Sequence, residues 1–288
     1  MDALTVMTWN VRYFGQKTGG LRATQRCMNE IAAGIAGMDP VPDVLALQEV
    51  EDRSLRGGLS SVGQLDRFRG ALHTALHAAG SPHRYQARYF PAHRYGPAIT
   101  PPLYTTGLAL LINEDITIEH AEAEEITAVR LPLFGKLKQK RIAVHARLSR
   151  GEQRLDLFNT HLSLPAFFEG SPHTVPARMG AGSNQLTEIR AVLAMMARRE
   201  EVLPTVVVGD LNSLPGSPVH QALLDAGLSD IFSDHGTLST ARFAHLRMHL
   251  DHVFATPEMA WSDCVVPGEP LASLSDHCPK VGRITRLR

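Results

Sequence analysis

Four apolar runs in this chain stop on a polar side chain that a buried strand does not need, and that pattern limits what the chain can build. "LTVMTWN" ends at Asn10, "VLALQE" at Glu49, "LDLFNTH" at His161, and "TVVVGDLN" at Asp210 and Asn212. The first two runs flank "RATQRCMNEIAAGIAG" (22–37), which has helical spacing and closes on Gly37, so the chain opens as β-α-β. In layered α/β proteins the carboxyl ends of strands border the crevice where ligands bind. The polar ends therefore fall where chemistry is done.

Periodicity extends this reading along the chain. A helix is expected over 63–80, short strands over 84–90, 107–113, 140–148 and 154–162, and an amphipathic helix over 184–200. Strands recur at 205–209, 250–255, 262–266 and 280–286, so the β-α-β arrangement returns after an antiparallel middle third. Neither a linker nor a sequence repeat divides the 288 residues, and the expectation is one domain over 1–288, built as two packed sheets between helical layers.

Composition narrows the function. Twenty-nine basic residues balance twenty-nine acidic ones, so no global field selects a polyanion or a membrane. Cys27, Cys264 and Cys278 are odd in number and scattered, which favours a reducing compartment over a disulfide framework. No apolar run reaches membrane-spanning length and no leader pattern precedes the first strand, so the expected location is cytoplasmic. Serine-hydrolase elbow, phosphate-binding lysine loop and dinucleotide fingerprint are all missing from the sequence. His73 and His77 share a helix face but lack the glutamate and third ligand of a zinc site.

Taken singly, each polar strand end is what an ordinary turn uses. Together with Asp251 in "HLDHVF" and Asp276 and His277 in "LSDHCP", they form a set of carboxylates, amides and histidines suited to a hard divalent cation and a phosphate. The motifs "TWN" (8–10), "LQEV" (47–50), "NTHL" (159–162), "GDLNS" (209–213), "LDHVF" (250–254) and "SDHCP" (275–279) resemble, in order, those of the endonuclease/exonuclease/phosphatase superfamily. The resemblance implies a DNase I-like α/β fold: a four-layer α/β/β/α sandwich of two packed mixed sheets flanked by helices. It implies a Mg²⁺ cofactor, with Mn²⁺ as a substitute, held by Glu49 with Asn10 and Asp276. It makes His277, held by Asp251, the catalytic histidine, with Asp210 as the rival for activating water. Asn212 and His161 would contact the phosphate, with Asn212 on an extended segment that turns it to the same side as Asp210.

Two positions depart from the family pattern. Arg12 stands where abasic-site endonucleases carry an acid, and His249 stands where many members carry an arginine, on the face it would share with Asp251 in a strand. Arg141 occupies the place of a substrate-side arginine, and a surface arginine flanking a strand reads equally well. Phe167 and Phe168, in the loop after His161, would stack on bases, touch an acyl chain or plug the loop onto the protein. The run "KLKQKR" (136–141), with Arg130 and Arg147, is the candidate basic lining for a nucleic acid. The expectation is a metal-dependent phosphodiesterase whose partner is a phosphate ester, with nucleic acid or nucleotide favoured and no obligate protein partner evident. A phosphomonoesterase, a lipid phosphodiesterase and a non-catalytic binding protein that keeps the fold are the alternatives.

Overall fold

The computed structural model describes residues 3–58, 60–95, 102–127, 140–165, 178–233, 239–243 and 246–287. In chain order the strands and helices are β1 (Leu4–Asn10), α1 (Gln25–Ala36), β2 (Val44–Val50), α2 (Gln64–Ala78), β3 (Tyr85–Tyr95), β4 (Tyr104–Asn113), β5 (Thr117–Glu125), β6 (Ile142–Arg150) and β7 (Gln153–His161). They continue with α3 (Ser183–Ala197), β8 (Thr205–Asp210), α4 (Pro218–Asp225), β9 (Ser229–Asp230), β10 (Ala241–Phe243), β11 (Leu246–Met248), β12 (Asp251–Ala255), β13 (Met259–Val265) and β14 (Lys280–Leu287).

Two mixed six-stranded sheets result, ordered β13-β14-β1-β2-β4-β3 and β5-β6-β7-β8-β12-β9, with a separate β10-β11 ribbon. Each sheet contains one parallel pair, β1 with β2 and β7 with β8, bridged by α1 and α3 respectively. A parallel pair brings two carboxyl ends side by side. Asn10 therefore aligns with Gln48 in one sheet and His161 with Asp210 in the other.

Alternation along the strands divides the core into layers. Val6, Val44, Leu110, Val144, Leu157, Val206 and Val208 fill the space between the sheets. Met7, Leu45 and Leu47 face α1 and α2, meeting Ile31, Ile35, Phe68 and Leu72. Phe158, Val207 and Phe254 face α3 and α4, meeting Ile189, Val192, Val219 and Leu223. This is the expected α/β/β/α sandwich, and each fully buried Leu, Ile or Phe contributes about 1.5–3 kcal/mol.

Five of these elements were not expected: the short strands β9, β10 and β11, together with β5 and α4. Among the described residues the β5 sequence "TIEHAEAEE" pairs only with β6, at the sheet edge, and is largely exposed, so it carries no apolar run to mark it. The eight-residue α4 starts from a Ser217 cap and Pro218, inside a Pro- and Gly-rich stretch that reads as a turn. Among the described residues, no helix is long and apolar enough to cross a membrane.

Candidate active site

Strand register builds most of the site. His161 pairs with Asp210 across β7 and β8, and Asp210 pairs with Asp251 across β8 and β12, so three side chains stand in one row. The residue before Asp210 must be glycine. Gly209 has φ +143°, and a Cβ there would lie 1.9 Å from the Thr160 carbonyl oxygen of β7. The "GD" pair thus combines a close backbone approach with a carboxylate at the strand end.

The other sheet supplies the opposite wall. Asn10 Nδ2 donates to Asp210 Oδ2 at 3.0 Å, and Asn10 Oδ1 accepts from the Arg12 backbone N–H at 3.0 Å. The segment carrying His277 is tied to the end of β1: Ser275 Oγ donates to the Asn10 carbonyl at 2.7 Å, and Trp9 Nε1 donates to the His277 carbonyl at 2.8 Å. His277 Nδ1 then lies 2.8 Å from Asp251 Oδ2, and its Nε2 lies 3.7 Å from Asp210 Oδ2. Thr240 Oγ1 accepts from the Asp251 backbone N–H at 3.1 Å, fixing the strand start behind the carboxylate.

These groups move one another's protonation in opposite directions. Burial raises the Asp210 carboxyl to about 7, helped by the Asp251 charge and opposed by His277, the Asn10 amide and the Asn212 N–H. Burial alone would lower His277, but the carboxylates of Asp251 and Asp210 hold it well above 6.5. His161 goes the other way, pushed well below 6.5 by burial and by the cations Arg141 and His277. A guanidinium can only donate, so the 3.0 Å contact of Arg141 Nη1 makes His161 Nδ1 an acceptor. The neutral ring therefore carries its proton on Nε2, 3.4 Å from Asp210 Oδ2.

Glu49 lies at a register irregularity of β2, between Leu47 and Val50, and has φ +54°. A non-glycine residue in that region costs about 1–3 kcal/mol, and such strain clusters at functional sites. The bulge leaves Glu49 half-buried at the rim while Gln48 points between the sheets and donates to Asn159 Oδ1 at 2.7 Å. Arg141 is 8% exposed rather than a surface residue, and its charge is offset by Glu49, Glu188 and Asp210. Asn212 is not on an extended segment: it has φ +46°, its N–H donates to Asp210 Oδ1 at 3.1 Å, and its Nδ2 donates to the Leu162 carbonyl at 2.9 Å. One N–H of that amide remains beyond the Leu162 bond. Asp276 is held by Arg12 Nη1 at 3.1 Å, so the departure at position 12 supplies a cation to a carboxylate of the site.

Not every expected residue joins this group. His249 stacks on His252 with ring centroids 4.7 Å apart and meets the buried Lys280 ammonium, placing it in a polar cluster between the sheets. Phe167, Phe168, Arg130 and most of the 136–141 run lie outside the described residues. Lys140 pairs with Glu125 at 2.7 Å, and Arg147 with Asp156 at 3.0 Å and Glu201 at 3.0 Å. Sequence reasoning passed over Ser275, Thr240 and Glu188. The last is a buried helix carboxylate accepting from Ser163 N at 2.7 Å and Oγ at 2.6 Å. A glutamate on the buried face of α3 was the one local signal for it. A cavity of about 700 Å³ is lined in part by Arg53, Tyr89, His93 and Thr105. A small cleft holding Arg141 and His161 shares Ala92 with it.

The donor set fits a hard divalent ion. Asp210, Asp251 and His277 present ligand atoms within 4.8 Å of one another, but a protonated His277 has no lone pair to give, so the donors are carboxylate and amide oxygens; Asp251 Oδ1 is buried without a hydrogen-bond partner among the described residues. Glu49 and Asp276 add half-buried carboxylates at the rim. Such an ion takes several oxygens and keeps water.

Solved structures of the same fold are similar over the whole chain. An endonuclease/exonuclease/phosphatase family protein from Leptotrichia buccalis C-1013-b is 16% identical, with 98% of this chain and 99% of that one covered and a TM-score of 0.70. ANGEL2, a 2',3'-cyclic phosphatase, is 17% identical, with 98% and 95% covered and a TM-score of 0.65. A mannosyl-6-phosphatase from Bacteroides thetaiotaomicron VPI-5482 is 16% identical, with 98% and 99% covered and a TM-score of 0.63. No curated protein matches the sequence closely enough to count as a relative. The Endonuclease/Exonuclease/phosphatase family matches residues 7–277, from the first strand to the catalytic-histidine candidate. A match over that span, nearly the whole chain, means that the chain belongs to the Endonuclease/Exonuclease/phosphatase family.

Proposed function

We propose that the protein is a divalent-metal-dependent phosphoesterase that hydrolyses a phosphodiester by in-line attack of water, with a nucleotide or nucleic acid as the favoured substrate. The observation that carries this reading is the row His161, Asp210, Asp251, faced by His277 and Asn10 from the opposite sheet. The family is typically divalent-metal dependent. Glu49, Asn10 and Asp276 would hold Mg²⁺ or Mn²⁺, and when bound the ion supplies Lewis-acid polarisation of a phosphoryl oxygen.

The remaining chemistry follows from the side chains. A carboxylate whose pKa lies near 7 is matched to accept a proton from water at neutral pH, which assigns Asp210 as the general base. His277, kept protonated by Asp251, faces the charge that develops on the phosphoryl oxygens and holds a proton for the leaving oxygen. Neutral His161 donates through Nε2, and Asn212 through its second amide hydrogen. Water oxygen bonds to phosphorus, the bond to the leaving oxygen breaks, and the proton lost by water rests on Asp210.

A phosphomonoesterase is the second reading. Lys140 and Arg147, two of the cations expected to line a polynucleotide path, are engaged by carboxylates. The test is Mg²⁺-dependent hydrolysis of single- and double-stranded DNA, RNA, a nucleotide phosphodiester, a phosphomonoester and sphingomyelin, run beside His277→Ala. Metal- and His277-dependent cleavage of a nucleotide or polynucleotide supports the first reading. Turnover of the monoester alone moves the assignment to the second, and turnover of sphingomyelin alone moves it to a lipid phosphodiesterase. No turnover of any substrate by the wild type counts against both readings.

A further inference from the structure

One group of histidines lies away from the row at the strand ends, and this inference does not depend on the function proposed above. His120 and Glu122 are two residues apart on β5, so they share a face, and Glu122 pairs directly with His145 of β6. Glu122 Oε1 is 3.3 Å from His120 Nε2 and 4.0 Å from His145 Nδ1, and all three ligand atoms lie within 4.8 Å of one another. Two ligands about 2.0–2.1 Å from a tetrahedral zinc ion stand about 3.3–3.4 Å apart. The first separation already meets that spacing, and the others need only rotation of half-exposed side chains.

His145 is prepared for the role. Its Nε2 lies 2.8 Å from Asp156 Oδ1, and its ring stacks on Phe158 with centroids 4.6 Å apart and planes 5° from parallel. Asp156 also accepts from Arg147 and Arg199, so it stays a carboxylate and keeps the imidazole proton on Nε2. That leaves the lone pair on Nδ1, which lies 4.0 Å from Glu122 Oε1. A carboxylate behind a histidine, fixing the tautomer while the other nitrogen faces a ligand set, is the supporting arrangement of histidine metal sites. The nearby guanidiniums do not oppose a cation freely, because Arg147, Arg198 and Arg199 each already face a carboxylate.

The geometry points to a second metal site, for Zn²⁺, formed by His120 Nε2, Glu122 Oε1 and His145 Nδ1, with water in the fourth position facing a cavity of about 530 Å³ lined by these residues and the end of α3. Two imidazoles and a carboxylate suit Zn²⁺ rather than Mg²⁺. The ion fastens the exposed edge strand β5 to β6. It lies on the face turned toward α3, whereas the catalytic row occupies the strand ends.

The test is calorimetric titration of the full chain with Zn²⁺ in excess Mg²⁺, for wild type, His120→Ala, Glu122→Gln and Asp210→Asn. The expected result is one Zn²⁺ bound by wild type and by Asp210→Asn, with Kd raised at least tenfold in His120→Ala and Glu122→Gln. Zn²⁺ should also raise the Tm of wild type and leave that of His120→Ala unmoved. His120 and Glu122 are exposed, so neither variant removes core packing, and circular dichroism of the metal-free variants checks their folding. Zn²⁺ binding that survives both edge-strand substitutions, that disappears in Asp210→Asn, or that wild type never shows overturns the assignment.

Discussion

Asp156 and Asp210 lie at opposite ends of the parallel pair β7 and β8, and both are shut off from solvent, at 0% and 2% exposure. Burial pushes both carboxyls upward, yet the outcomes are opposite. Asp156 is surrounded by His145, Arg147 and Arg199 and is held below the ordinary carboxylate range. Asp210 faces another carboxylate and reaches about 7. A fully partnered buried charge is structure, while one left in deficit is a base waiting for a proton or a cation.

The largest contrast should come from removing each carboxylate. Asp210→Asn is expected to lower the metal-dependent rate by about 10²–10⁴-fold, the usual worth of a general base, measured as kcat/KM on the best substrate of the panel. Asp156→Asn should instead cost about 3–5 kcal/mol of stability, because it leaves buried cations short of a partner, and should spare the kcat/KM of protein that remains folded. Denaturant titration beside kinetics separates the two effects.

The pH dependence sharpens the comparison. Asp156 has a lowered folded pKa, so its contribution to stability is complete above about pH 4 and is lost as pH falls through that lower value. Asp210 has a raised one, so its contribution is present below about 4 and lost as pH rises toward about 7. Asp210→Asn should therefore gain stability relative to wild type as pH is raised, whereas Asp156→Asn should approach wild type only in acid. Thermal melts across pH 3–8 in the absence of metal read both slopes.

Asp251→Asn should shift the basic limb of the kcat/KM profile toward lower pH, since the carboxylate that keeps His277 protonated is gone. An unmoved limb would assign that limb to another group. The smallest effect belongs to Arg12→Ala. The Arg12–Asp276 pair is 28% and 29% exposed at its side chains, so its loss should cost under about 1 kcal/mol while freeing Asp276 to tighten Mg²⁺ binding.

The sequence made the layered fold readable because most central strands are apolar runs and the helices carry one apolar stripe. It hid β5, whose nine residues keep no buried face, and α4, whose cap residues double as turn formers. The row His161, Asp210, Asp251 with His277 was legible because each lies where a run stops or a motif recurs. The backbone conformations around the row were less so. Nothing local in "LQEV" announces the bulge that turns Glu49, nor does "GDLNS" alone reveal that Asn212 leaves the extended region. Ser275 and Thr240 gain their roles only when distant segments meet. His249 was placed by assuming that the face of β12 continued before Asp251, and the strand begins at Asp251 itself.

The most direct test is a parallel assay of purified Asp210→Asn and Asp156→Asn on the same Mg²⁺-dependent substrate panel, with Tm recorded for each. The account predicts that Asp210→Asn melts at or above the wild-type temperature and has lost hydrolysis by at least two orders of magnitude. It predicts that Asp156→Asn melts several degrees lower and hydrolyses normally where it is folded. Hydrolysis at the wild-type rate by a folded Asp210→Asn would contradict the claim that this carboxylate is the base.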